Sequence, residues 1–432
     1  MRKNLLFLIG LVFLLACKKE DDPDGPTSYP DKIVLSEPKV VGDSIKLQWT
    51  KLENANFMSY SVLRKTPSDS YQIPIAQNYR ADQVSFVDNT VPYSATVEYQ
   101  VIARISSNQP NQPNQAGQTI SSNIISYQRK DIKTLAIAPY DVQFRPQDRL
   151  LYFFEKSGTI SKYDVKSEQI VKSVNTAATI GYCDFGTYNG VEELYVPRND
   201  GWIFIYDAAT LAKVDQLNVG LSSSCVVAYN GLLFISTSAW TNRPLKVYNR
   251  ATKQLISETG DFDQTRFKRF PNSATELLEI TLNIGPTDQD YYSFNANGTS
   301  SYHVNDRYHG DYPLDANIFE FFPQGNKYIT ASAGAIYRKD MTYEASLPRG
   351  NKEFTTFCFD ESAQLIYAGT RTKSLEVYTI ASYNYMRSIA TKAYPFKLFK
   401  DTNGGFLCVS SINPPASYYS PPSSGIIIEQ VK

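Results

Sequence analysis

Four basic side chains recur in polar loops of this 432-residue chain, and their spacing could build one anion-binding surface. They are Lys156, Arg198, Arg243 and Arg371. Each follows a short apolar run, so we expect all four on one loop face. Around a narrow channel their fields would add, and arginine offers paired donors to carboxylate, sulfate or phosphate. A second interpretation stays open, because surface loops are polar by default.

Aromatic side chains occur in the same class of loop. Trp240, Tyr308 and Tyr418 could offer flat faces to sugar rings or to protein side chains. His309 follows Tyr308 in the loop sequence HVNDRYHGD. We therefore predict a mouth that binds a glycan or a protein loop, with these four residues and the four basic ones as candidate ligand-binding side chains.

Groups for catalysis are scarce. The chain has two histidines, His303 and His309, and lacks the G-x-S-x-G and P-loop motifs. The spacing of these histidines matches no known ligand geometry, so we expect no metal and no cofactor. We favour non-catalytic binding. A polysaccharide hydrolase or lyase is one alternative, and a scaffold for another envelope protein is a second.

Charge adds a further exclusion. The chain has 43 basic and 43 acidic residues, so it lacks the basic footprint of a nucleic-acid-binding protein. The adjacent acids Glu192 and Glu193, like Asp261 and Asp263, are interpreted as solvated turns rather than as catalytic pairs.

Cysteine usage gives no sign of disulfides or zinc. Four cysteines lie far apart inside apolar runs, without CxxC spacing. These are Cys183, Cys225, Cys358 and Cys408. We interpret them as small buried hydrophobes.

Short strands must position the loops, and the clearest repeating unit is Glu193–Gly220. It contains alternating runs at Leu194–Val196, Trp202–Tyr206 and Val214–Val219. Alternation at period two predicts strands. With its Tyr-Val run, Asp-Gly turn, Ile-Tyr-Asp strand end and closing Val-Gly, the unit resembles the YVTN-type β-propeller repeat. The resemblance implies an architecture and leaves the function open.

Weaker copies of this unit recur to the C-terminus, and most end their third strand on an aromatic residue followed by a polar one. The seven anchors are Tyr163-Asp164, Tyr206-Asp207, Tyr248-Asn249, Phe294-Asn295, Tyr337-Arg338, Tyr378-Thr379 and the non-aromatic Ile428-Glu429. Their spacing, roughly 40–50 residues, fits a four-stranded blade. We predict a seven-bladed β-propeller over residues 131–432, with six or eight blades as alternatives. Residues Lys133–Ile137 should pair with the last blade and close the ring.

Residues 32–130 have the turn-punctuated short strands of a β-sandwich. The runs Ile45–Trp49, Tyr60–Arg64, Ser85–Asp88 and Val97–Ala103 resemble strands of a fibronectin type III domain, with Ser121–Tyr127 as its last strand. Val97 stands where that family often has a corner tyrosine. The resemblance implies a spacer, and we interpret Trp49 as a core residue. The fold class predicted for the whole chain is all-β, a fibronectin type III-like sandwich followed by a seven-bladed propeller.

The N-terminus has the layout of an export signal. Basic residues precede an apolar run, and Leu-Leu-Ala-Cys17 resembles a bacterial lipobox. The resemblance implies a signal peptide over 1–17, cleavage before Cys17 and lipidation of its sulfur. Residues 18–31 are predicted to form a tether, and Lys18–Asp22 is similar to the surface signal of Bacteroidota-type lipoproteins. We expect a monomeric outer-membrane lipoprotein at the cell surface, with the periplasmic face as the alternative.

Overall fold

The chain is all-β in a computed structural model that describes residues 32–41, 44–67, 69–106, 117–129, 132–239, 241–423 and 425–431. Within these ranges every regular element is a strand, and no helix is long and apolar enough to cross a membrane. The predicted signal peptide, Cys17 and the tether lie outside the described residues. Two compact units divide the remainder: one reaches Val91 and resumes over Thr96–Gln128, and the other contains Pro92–Ala95 and the residues from Arg129 onward.

The first unit contains two antiparallel sheets that share one buried core. Its strands are β1 (Lys39–Val41), β2 (Ser44–Gln48), β3 (Phe57–Lys65), β4 (Ile73–Asn78), β5 (Ser85–Asp88), β6 (Thr96–Ile105), β7 (Gln118–Ser121) and β8 (Ile125–Gln128). One sheet has the order β1-β2-β5, and the other has the order β4-β3-β6-β7 with β8 also paired to β6. Trp49 is 5% exposed and packs edge-to-face against Tyr60, which confirms that it is a core residue.

The second unit repeats one antiparallel sheet seven times within its described residues. The first four sheets are β9–β12 (Asp141–Arg145, Leu150–Phe154, Thr159–Asp164, Gln169–Asn175), β13–β16 (Asp184–Tyr188, Val191–Pro197, Trp202–Asp207, Lys213–Asn218), β17–β20 (Ser223–Tyr229, Leu232–Thr237, Leu245–Asn249, Leu255–Thr259) and β21–β24 (Thr265–Arg269, Glu276–Thr281, Gln289–Phe294, Ser300–Val304). The last three are β25–β28 (Phe319–Phe321, Lys327–Thr330, Ala335–Arg338, Tyr343–Ser346), β29–β32 (Phe354–Asp360, Leu365–Thr370, Ser374–Thr379, Tyr385–Ala390) and β33–β35 (Tyr394–Lys400, Phe406–Ser411, Ile426–Val431). This repeated-sheet architecture confirms the coarse prediction of an all-β repeat protein.

The aromatic-plus-polar anchors have a physical basis in the third strand of each sheet. Tyr206 is 3% exposed and packs in the core, while Asp207 Oδ1 accepts a hydrogen bond of 2.7 Å from the Thr210 N–H. Asp164 and Asn249 accept equivalent turn bonds from backbone N–H groups two or three residues later. The aromatic residue therefore fixes the strand in the core, and the polar residue fixes the turn that follows it.

The two ends of the second unit meet in one sheet. Leu135 N–H donates to the Ile426 carbonyl at 2.9 Å, and Ile426 N–H donates back to the Leu135 carbonyl at 3.0 Å. This pairing confirms the prediction that the segment Lys133–Ile137 pairs with the last sheet. An ion pair between Arg149 and Asp401, at 2.7 Å, also joins the first sheet to the last, and their apolar side chains share one core.

The interpretation of Glu193 as part of a solvated turn is wrong. Glu193 is 5% exposed, lies within β14 and accepts two hydrogen bonds of 2.8 Å from the guanidinium of Arg250 in the next sheet. The Tyr195 hydroxyl also donates to it at 2.6 Å. Glu193 is therefore part of a buried ion pair between two sheets, because a charge placed on an inward position of a strand needs a partner there.

Candidate ligand-binding site

The first strands of all seven sheets in the second unit line one cavity of about 640 Å³, which we call the channel. They are β9, β13, β17, β21, β25, β29 and β33. Successive side chains of such a strand point in opposite directions, and in β17 both sets are buried: Cys225 and Val227 pack in one core, and Val226 and Ala228 pack in another. The channel is therefore walled by positions drawn from the whole length of the unit.

A buried ion cluster occupies the channel wall. Asp141 of β9 lies 3.4 Å from the guanidinium of Arg266 in β21 and 3.4 Å from the Lys397 ammonium in β33. Burial alone would raise the pKa of Asp141, but Arg266, Lys397 and Lys268 outweigh it and hold this pKa below its ordinary value. The other oxygen, Oδ2, is buried without a hydrogen-bond partner. Asp141 thus stays ionised and keeps one acceptor unused.

Arg266 is the centre of this cluster. Its guanidinium donates to the Ala316 carbonyl at 3.0 Å and stacks over the Tyr182 ring at 3.9 Å. The Tyr182 hydroxyl in turn donates to Asn317 Oδ1 at 2.6 Å. Two sheets and two inter-sheet loops are therefore held together by one side chain that is 8% exposed.

Two further ionisable groups in the channel have pKa values shifted towards neutral pH. Burial lowers the pKa of Lys268 to about 8, against the opposing effect of Glu320, to which its ammonium donates at 2.7 Å. Burial raises the pKa of Asp184 to about 7, although the Ala228 N–H donates to this carboxyl at 2.9 Å. The channel therefore contains groups that can change charge near neutral pH.

A second cavity, of about 340 Å³, is lined by residues that precede the first strands or lie near their beginning, and by loops between second and third strands. We call it the mouth cavity. Its lining includes Tyr140, Lys156, Asn317, Lys397, Tyr418 and Tyr419. The Lys156 ammonium lies 4.0 Å from the centre of the Tyr140 ring, and the rings of Tyr418 and Tyr419 meet edge-to-face at 5.2 Å. Cationic, amide and aromatic residues thus line one cavity, and this combination of groups suits the binding of a polar ring.

The structure brings two of the predicted site residues, Lys156 and Tyr418, into the mouth cavity. Arg371 acts on the same region indirectly. It pairs with Glu353 and donates to the carbonyls of Pro415 and Ala416, at 3.2 and 3.1 Å, in the loop that carries Tyr418. The side chain of Arg371 therefore positions this loop.

The other predicted residues lie elsewhere. Arg198 is 7% exposed, pairs with Asp200, donates to the Thr176 carbonyl at 2.6 Å and covers the Phe204 ring. Arg243 is exposed and makes a single long bond to a backbone carbonyl. Neither lines the channel or the mouth cavity. Trp240 lies outside the described residues.

Tyr308 and His309 belong to a separate group. Tyr308 packs edge-to-face on Tyr312 at 4.9 Å, and its hydroxyl accepts from the Tyr343 N–H. His309 bonds Asp288 at 2.8 Å, and its side chain is 75% exposed. Neither residue lines the channel or the mouth cavity.

Sequence reasoning missed the charged residues of the first strands: Asp141, Arg266, Lys268 and Lys397. A signal was present, because each interrupts an apolar or aromatic run, as in PYDVQF, TRFKRF and YPFKLF. A charge at an inward strand position is costly unless it is paired, so such interruptions indicate either a partner or a ligand. The cationic character predicted for the loops belongs largely to these strands.

Comparison with known proteins shows the fold and nothing finer. No protein-family model matches the chain, and no curated protein matches it. Among solved structures the chain is similar to Kuenenia stuttgartiensis hydrazine synthase, with 14% identity and a TM-score of 0.50 over 71% of this chain and 99% of that one. The likeness supports the all-β architecture of repeated four-stranded sheets that characterises a β-propeller.

Proposed function

We propose that this protein is a non-catalytic binding protein that recognises a glycan through the mouth cavity. The observation that carries the proposal is the composition of that cavity, in which the Lys156 ammonium lies 4.0 Å from the centre of the Tyr140 ring and 5.4 Å from that of the Tyr182 ring, and Tyr418 also lines the wall. Aromatic faces stack on sugar rings, and a cation beside them selects a sugar that bears a carboxylate.

The neutral polar groups of the cavity fit the same ligand class. Gln264, Asn317 and Thr355 supply amide and hydroxyl groups for sugar hydroxyls. A volume of about 340 Å³ accommodates one or two sugar rings, which suits recognition of a short stretch of a longer chain.

The test uses a matched pair of ligands: an oligosaccharide with uronic-acid carboxylates and the same oligosaccharide with those carboxylates reduced to alcohols. We expect the acidic form to bind and the reduced form to bind at least tenfold more weakly, as measured by titration calorimetry. Lys156→Ala should weaken binding of the acidic form about tenfold, which corresponds to about 1.4 kcal/mol. Lys172→Ala is the control, because Lys172 is exposed on β12, the outermost strand of the same sheet.

Three results would contradict the proposal. Equal binding of the two oligosaccharides would remove the selection for a carboxylate. No binding of either would reject the glycan ligand and favour a protein ligand. Time-dependent shortening of the bound oligosaccharide would replace the binding role with the hydrolase or lyase role.

We also propose the finer architecture: a seven-bladed β-propeller over residues 131–432 and a fibronectin type III-like spacer over 32–130. Seven sheets within the described residues and the Leu135–Ile426 pairing support the first assignment. The two sheets and shared core of the first unit support the second. If that unit is a spacer, added glycan should slow amide hydrogen exchange only in the second unit. Protection within 32–91 would reject the spacer role.

The membrane anchor is proposed from the N-terminal sequence alone. Leu-Leu-Ala-Cys17 supports lipidation of Cys17 and attachment to the outer membrane, facing the cell exterior. Labelled palmitate should be incorporated into the protein in growing bacteria, and Cys17→Ser should lose the label. If the variant keeps the label, the lipid is attached to another residue and Cys17 is not the anchor.

A further inference from the structure

Three side chains in and beside the fourth sheet of the second unit have the geometry of a metal-binding group. Asp261 lies in the loop before β21, Asp290 lies in β23 and His303 lies in β24. One ligand atom from each lies within 4.8 Å of the other two, and His303 Nε2 is 2.8 Å from Asp290 Oδ2. Neither the channel nor the mouth cavity includes these residues in its lining.

One ligand of this group, Asp290, is a buried carboxylate whose basic partner is His303. Asp290 is 0% exposed, and among the described residues it forms no ion pair with lysine or arginine. Buried carboxylates need compensation, which either a proton or a cation can supply. His303 supplies a nitrogen ligand at the same point, and Asp261 supplies a second carboxylate from the exposed side. These additions favour a metal ion over a proton.

The ligand atoms are held in position by neighbouring groups. The Tyr292 ring stacks on the His303 ring at 4.4 Å with an interplanar angle of 9°. The Tyr292 hydroxyl donates to Glu279 Oε2 at 2.7 Å, and the Asp306 N–H donates to Asp290 Oδ1 at 3.2 Å. Oδ2 of Asp290 is thereby directed towards His303. Such outer contacts are what orient ligands in metal sites.

We propose that Asp261, Asp290 and His303 bind one divalent cation of the zinc class, with water in the remaining position. The mixed set of one imidazole nitrogen and two carboxylate oxygens suits Zn²⁺, whereas Ca²⁺ and Mg²⁺ prefer oxygen ligands alone. Zn²⁺ binding needs His303 Nε2 without a hydrogen atom, so a proton on that nitrogen would leave to solvent. The bound ion would brace loop residues 260–264, and Gln264 at the end of this loop lines the mouth cavity.

The experiment measures metal stoichiometry on the full chain. Protein stripped with a chelator is titrated with ZnCl₂, with CaCl₂ and MgCl₂ as comparisons, and bound metal is counted after desalting. We expect one Zn²⁺ per chain and no retained Ca²⁺ or Mg²⁺. His303→Ala should abolish this binding, and Asp261→Asn should weaken it at least tenfold while it leaves the fold intact, because an asparagine there can still accept the bond from Asn305.

The second histidine supplies the matched control. His309 is the only other histidine of the chain, bonds Asp288, and should be replaceable by alanine without loss of the bound Zn²⁺. If the stripped protein is folded but retains no Zn²⁺ after titration and desalting, the proposal is overturned. Loss of Zn²⁺ from His309→Ala but not from His303→Ala would overturn it as well. Neither readout depends on the glycan, so the metal site and the proposed binding function can fail separately.

Discussion

Arg266→Ala is expected to lower the free energy of unfolding by about 3 kcal/mol, the cost of leaving a buried charged partner uncompensated. The Arg266 side chain is 8% exposed, and its removal takes away the donor to the Ala316 carbonyl, the ion pair with Asp141 and the cover over Tyr182. Asp141 would keep only Lys397 as a direct partner. Urea unfolding followed by circular dichroism measures the change.

Arg243→Ala is the matched control for this prediction. It removes the same side chain from an exposed position whose single bond, to the Glu258 carbonyl, is 3.5 Å long. Exposed substitutions of this kind change stability by about 0.5 kcal/mol or less. If the two variants unfold at the same urea concentration, Arg266 is not the structural centre of the channel wall.

Leu135→Pro is expected to destabilise the second unit by about 2–3 kcal/mol, because it opens the seam between the two ends of that unit. Proline lacks the N–H that Leu135 donates to the Ile426 carbonyl at 2.9 Å. It also restricts the backbone of the preceding residue, Thr134. The unfolding midpoint in urea should fall accordingly.

Leu135→Ala separates the backbone contribution from the side chain. Alanine keeps both backbone bonds to Ile426 and loses only a partly buried side chain, so a cost of about 1 kcal/mol is expected. Equal stability of the proline and alanine variants would contradict the view that this pairing closes the unit.

The repeating scaffold was predictable because its signals are local. Tyr206-Asp207 and its counterparts combine a core aromatic with a turn-forming side chain, and both roles can be assigned from adjacent residues. The same is true of Lys133–Ile137, since the need to cover a sheet edge follows from the architecture itself. The positions of Lys156 and Tyr418 in the mouth cavity followed from their loops, which the strand pattern had located.

The rest of the site could not be predicted, because its partners are far apart in the sequence. Arg266 and Asp141 are separated by 125 residues, and the distance between them depends on how several sheets pack. For Arg198 the position in the sequence was predicted correctly, but the direction of the side chain was not. Its loop was located, but the neighbouring Asp200, the Thr176 carbonyl and the Phe204 ring engage its side chain, so position in a loop did not decide where the guanidinium points.

The seam between the first and last sheets also sets an order of events in folding. Arg149 and Asp401 are 252 residues apart. The first sheet packs on the second through Tyr152 and Phe185, but it acquires its other neighbour only after almost the whole chain has been synthesised. Until then the apolar residues of β10 that face β34, Leu151 and Phe153, remain without their cover. Contacts of such long range slow folding and expose intermediates to aggregation. A nascent chain of this design therefore depends on its final strands to cover the apolar residues of its first sheet.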